Sequence, residues 1–217
     1  MGNSGNERSR LLTEAGNRIL KPLGLVQKGR SRFWRDDRNW FVIGVEFQPS
    51  SWSGGSHLNV GCNWLWVVRD HFAYDVGGRT EPFVKFENRD QFQDAANIMA
   101  TQAAFAVESF RKQFPNVRAV YEYYSIEESA GIWSNFNAAI ASALSGKALK
   151  AASHFGKVAG DQSDIPWARA ARLEAFNLHG ISSDPALFRR AIKERVMQSR
   201  ALQKLPNLLD LEKLVIP

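Results

Sequence analysis

The chain has 217 residues, 44% of them hydrophobic and 23% charged, the balance of a globular protein whose core needs no metal or disulfide staple. Its single cysteine, Cys62, excludes an internal disulfide and suits a reducing, cytoplasmic setting. The net charge of +6 favours acidic partners, and neither the polar start MGNSGNERSR nor the interrupted uncharged run 130–146 predicts a signal peptide or membrane span.

Leu11, Leu12, Ala15, Ile19 and Leu20 recur at the helical period, which predicts a helix over residues 7–20. Pro22 stops it, because proline disfavours helical backbone in the residue before it, and Gly24 permits a change of direction. Residues 30–35 predict a short strand carrying Phe33 and Trp34, followed by a hairpin loop in which Asp36 and Asp37 are solvated. Residues 40–48 predict a strong strand, with Phe41, Ile43, Val45 and Phe47 alternating against Val42, Gly44, Glu46 and Gln48. Pro49 ends it, and a Ser/Gly loop carrying Trp52 occupies residues 50–56. A long strand over 57–68 follows, in which Gly61 marks either a bulge or a close backbone approach. Residues 72–76 and 80–86 bracket Gly77-Gly78, a plausible hairpin turn.

From residue 88 the period becomes helical. Phe92, Ala95, Ala96, Met99, Ala103, Ala106, Phe110 and Phe114 form one stripe, a core face on a helix long enough to back the sheet. Residues 117–124 read as either strand or helix. Helices are expected at 132–144, 147–158, 165–178 and 185–203, with Asp164 and Asp184 as N-cap acceptors beside Pro166 and Pro185. The apolar end of the tail, LVIP, is expected to dock on the body or on a partner. The expected fold class is α+β: an antiparallel sheet of about five strands packed on a long helix, since short links exclude parallel pairing. That domain spans residues 1–124, and an all-helical C-terminal extension spans 125–217.

Motifs for chemistry are scarce. His57, His71, His154 and His179 share no ligand spacing and Cys62 has no partner cysteine, so neither a metal nor another cofactor is expected. His57 and Cys62 have opposite parity on one strand, which argues against a Cys–His dyad. Gly54-Gly55 and Gly77-Gly78 lack the lysine and following helix of a phosphate loop. No catalytic residue is nominated, which favours a binding protein, although an enzyme without a recognisable motif stays an alternative.

One patch is distinctive. Lys28, Arg30, Arg32 and Trp34 share parity, and Gln48, Ser50, Trp52 and Asn59 follow close in the chain. Guanidinium groups beside an indole suit carboxylate or phosphate capture with ring stacking. Three readings stay open: arginines covering aromatics on an ordinary outer sheet face, a docking site for a protein with an acidic surface, or a nucleic-acid interface joined by Arg189, Arg190 and Lys193.

The segments Leu20-Lys21-Pro22-Leu23-Gly24, Lys28-Gly29-Arg30 with Phe33, and Val42-Ile43 with Phe47-Gln48 fall in a characteristic order. Ser50, Trp52-Ser53 and Leu58-Asn59-Val60-Gly61 complete it. In this order and spacing the chain resembles an uncharacterised bacterial family catalogued as domain of unknown function 4304, over about residues 5–124. Leu25 stands where that family usually shows phenylalanine, and Pro49 where it commonly has a basic residue. The resemblance implies an α+β domain and no catalytic residues. The expectation is thus a non-enzymatic, cytoplasmic bacterial protein that docks an acidic partner, with an immunity or defence role as one setting.

Overall fold

A computed structural model of the chain describes residues 2–50, 53–126 and 131–207. The fold is α+β, with a five-stranded antiparallel sheet in chain order and a helical C-terminal region. Contacts divide the chain into two compact units, residues 1–63 with 72–112 and residues 64–71 with 113–217. Trp52 and the apolar tail lie outside the described residues.

The first unit begins with α1 (Gly2–Ile19), which buries Leu11, Leu12 and Ala15. A single 3₁₀ turn (Lys21–Leu23) follows, closed by Gly24 at φ 89°. The sheet comprises β1 (Val26–Gln27), β2 (Phe33–Asp37), β3 (Phe41–Pro49), β4 (Gly55–Trp64) and β5 (Val76–Lys85). Helix α2 (Arg89–Gln113) completes the unit and buries Phe92, Ala96, Met99, Ala100, Ala103 and Val107. Ala95, Ala106 and Phe110 from the expected stripe are only half-buried.

The period of two on β2 and β3 separates two sheet faces. Trp34, Ile43, Val45 and Phe47 face the core. Trp34 meets Phe47 edge-on at 5.4 Å, and a Cβ on Gly16 of α1 would come within 2.6 Å of its indole. Asp36 shares that inner face. Its carboxylate accepts from Arg111 Nε at 2.9 Å, while the same guanidinium donates to Leu23 O at 2.8 Å. Asp36 is therefore a buried ion-pair member rather than a solvated loop acid.

Several expectations about the sheet are corrected: the strand expected over 57–68 ends at Trp64, and the one expected over 72–76 is absent, since β5 begins only at Val76. Residues 28–32 form a turn instead of the start of a strand. Gly29 there sits at φ 58°, and the turn is closed by Ser31 N to Lys28 O at 3.1 Å and Lys28 N to Phe33 O at 2.9 Å. Gly77-Gly78 makes no hairpin but lies inside β5, opposite Gly61 and Val60. A Cβ on Gly77 would approach Val60 O to 2.5 Å, and one on Gly61 would approach Val76 O to 2.3 Å. Glycine is needed here because two backbones meet closely.

The second unit contains α3 (Val117–Ile126), α4 (Ile132–Leu144), α5 (Ala148–Ala159), α6 (Pro166–Ile181) and α7 (Pro185–Leu202). Residues 117–124 are thus helical. The core of this unit includes Val120, Phe136, Ile140, Phe155, Ala171, Ala175, Phe188 and Ile192. Residues 64–71 run through it and are fastened by polar contacts. Trp64 Nε1 donates to Tyr124 Oη at 3.0 Å, Trp66 Nε1 to Asn137 Oδ1 at 2.9 Å, and Arg195 Nε to Trp66 O at 2.8 Å. Asp184 caps α7 as expected, but Ile165 occupies the corresponding position of α6 and Asp164 instead approaches Arg169 Nε at 3.5 Å. Among the described residues no helix is long and apolar enough to cross a membrane.

Candidate functional site on the outer sheet face

The side of the sheet away from the core carries Phe33, Glu46, Gln48, Asn59 and Arg79. Strand register assembles them. Phe33 pairs with Glu46, Gln48 follows two residues on, and Asn59 pairs with Arg79. Asn59 Nδ2 donates to both Glu46 Oε2 and Gln48 Oε1 at 3.0 Å, and Arg79 donates to Gln48 Oε1 at 2.9 Å. Tyr74 Oη reaches Glu46 Oε2 at 3.3 Å from the segment preceding β5. Burial, followed by the Glu46 charge, pushes the Tyr74 phenol well above its ordinary range, so it keeps its proton and donates. The result is a polar network across β3, β4 and β5 with fixed donor and acceptor roles.

Beside this network lies an aromatic cluster. Phe72 packs edge-on against Phe33 and against Tyr74, both at 5.0 Å. These rings cover Gly44, where a Cβ would come within 2.5 Å of Phe72 and 2.7 Å of Phe33. A cavity of about 330 Å³ opens between them, lined by Lys28, Ser31, Phe33, Glu46, Phe72 and Tyr74. Its lining combines three aromatic rings with the Glu46 carboxylate and the Lys28 ammonium.

The residues nominated from the sequence are distributed as follows. Lys28 lines the cavity, and Gln48 and Asn59 belong to the polar network. Arg32 is half-buried in the turn leading into β2, where burial and then the nearby Arg8 lower its pKa, with Glu46 opposing them. Arg30 is exposed on the same turn. Ser50 closes the β3–β4 loop, accepting from Ser53 N at 3.2 Å. Trp34 must be removed from the set. It is fully buried, because β2 sets it opposite Val45 on the face that packs against Phe47 and Gly16 of α1. Trp52 lies outside the described residues.

Sequence reasoning missed Glu46, Phe72, Tyr74 and Arg79 as site members. Glu46 was detectable, since it alternates with Gln48 on the polar side of β3. Phe72 and Tyr74 gave no signal, because residues 72–76 read as a strand of their own. Cys62 offers no chemistry at this face: it is completely buried, and burial, then Asp75 and Asp36, push its thiol far up. Among the described residues no group of His, Cys, Asp and Glu is arranged to hold a metal ion.

Comparison with known proteins adds no relative. No family model, no curated protein and no solved structure matches the chain.

Proposed function

We propose that the protein is a binding module that docks an acidic segment of a protein partner across its outer sheet face. The observation that carries this reading is the aromatic-walled cavity beside Lys28, with Arg30 and Arg32 on the adjoining turn and Arg79 across the polar network. Cations on a rim steer and orient acidic partners, while buried contact area comes from rings. Glu46 in the cavity lining favours one partner class over the other. A phosphate backbone laid over the cavity would meet that carboxylate, whereas an aromatic or hydrogen-bond-donating side chain would not. The partner segment we infer therefore presents one such side chain to the cavity, flanked by Asp or Glu that reach the rim. A single buried cysteine is consistent with a cytoplasmic setting.

Selection of binders from a random peptide display library, with the full chain as bait, tests this reading. Selected peptides should share an aromatic residue between acids. They should lose at least about tenfold in affinity on Lys28→Glu or Arg32→Glu, and comparably on Phe72→Ala. Binders indifferent to all three substitutions, or tight binding only to oligonucleotides, would remove the sheet face from consideration.

A further inference from the structure

A second cavity, of about 350 Å³, lies wholly within the helical unit, where the first turn of α3, the end of α4, the start of α5 and α7 converge. Arg118 on α3, Lys147 at the N-cap of α5 and Arg189 on α7 line it, and among the described residues no acidic group does. Arg118 has one exposed partner, Glu122, at 3.1 Å, a pairing that holds a side chain only weakly. Among the described residues neither Lys147 nor Arg189 forms an ion pair. Three cations drawn from separate parts of the chain repel one another, and among the described residues lining the cavity no acid offsets that repulsion.

Two further observations point the same way. The Oγ atom of Ser145, which also lines the cavity, is buried without a hydrogen-bond partner. A buried hydroxyl left unpaired costs free energy that an entering acceptor restores. In addition, α5 starts at Ala148 with no side chain capping it, and its N-cap residue, Lys147, lines the cavity. Gly146, at φ 70°, carries the chain between the two helices and leaves open space where a Cβ would stand.

We infer that this cavity is an anion site for a phosphate monoester carried by a small phosphorylated molecule. A phosphate brings nearly two negative charges and three acceptor oxygens, enough to engage several cations and a hydroxyl together. A carboxylate offers one charge and two oxygens in a plane, too few for donors arriving from three sides. The cavity is also larger than a bare phosphate and falls at the lower end of small-ligand pockets, about 300–1,000 Å³. It shares no residue with the sheet face.

The test is calorimetric titration of the full chain at low ionic strength with inorganic phosphate, a nucleoside 5′-monophosphate and the corresponding nucleoside. Saturable one-site binding is expected for the first two and none for the nucleoside, with the monophosphate tighter than free phosphate if the rest of the cavity is used. Arg118→Gln and Arg189→Gln should each weaken binding at least about tenfold, and Ser145→Ala severalfold. Arg190→Gln removes the same charge from the neighbouring, non-lining position and should bind like the parent protein. Equal weakening by Arg190→Gln, or undiminished binding in the lining variants, would overturn the inference. Unchanged thermal midpoints identify variants that remain folded, and the exposure of Arg118 and Arg189 makes them suitable for that control.

Discussion

At the scale of single residues, burial decides what each charged or aromatic group can do. Trp34 and Arg32 are two positions apart, yet one lies in the core and the other lies half-buried in a turn, so substitution affects stability in the first case and docking in the second. His154 shows the same principle in a titratable group. Its Nδ1 lies 3.0 Å from Asn135 Oδ1, and Asn135 Nδ2 donates to Gly131 O, so the imidazole nitrogen acts as donor. Burial, with Lys157 and Lys150 contributing, lowers its pKa below the ordinary 6.5. The unfolded chain therefore takes up the proton first. Stability is full above about pH 6.5 and falls as the pH drops through the lowered native value. Thermal melts should show a larger decrease for the parent protein than for His154→Gln between about pH 7.5 and about pH 5. Parallel decreases would show that His154 does not contribute.

At the scale of elements, termini and strand boundaries account for the differences between sequence and structure. Asp184 accepts from both Ala186 N and Leu187 N at 3.0 Å, beside Pro185 at the first helical position. Asp184→Ala should cost about 0.5–2 kcal/mol in denaturant unfolding, and Asp184→Asn much less, because asparagine still presents an acceptor. Asp164 occupies a similar place in the sequence, but Ile165 and not Asp164 becomes the N-cap of α6. Adding a proline near the helix start does not settle which residue caps it; a shift of one position puts the acceptor out of reach. The turn at 28–32 is the analogous case in the sheet. A strand read from alternation alone cannot reveal that Gly29 and Ser31 form a turn first, nor which strand face meets the core, and Trp34 falls on the inner one.

At the scale of the whole molecule, the net charge of +6 acts over distance rather than through any one contact. If the outer face docks an acidic segment, association should slow by about tenfold between about 50 and about 500 mM salt, while dissociation changes little. Stopped-flow measurement separates the two rates, and a salt-insensitive association rate would mean that the rim cations do not steer.

The antiparallel α+β class, the long helix and four of the five later helices were legible in the chain, because each follows from periodicity or punctuation among near neighbours. Strand alternation also placed Gln48 and Asn59 on the polar side, whereas Lys28 belongs to the turn before β2. What only the tertiary structure decided is which distant groups complete their surroundings. Tyr74 reaches Glu46 across the sheet, and Arg118, Lys147 and Arg189 enclose one cavity. Such pairings depend on register, packing and chain crossing between residues far apart in sequence, and local propensity carries no information about them.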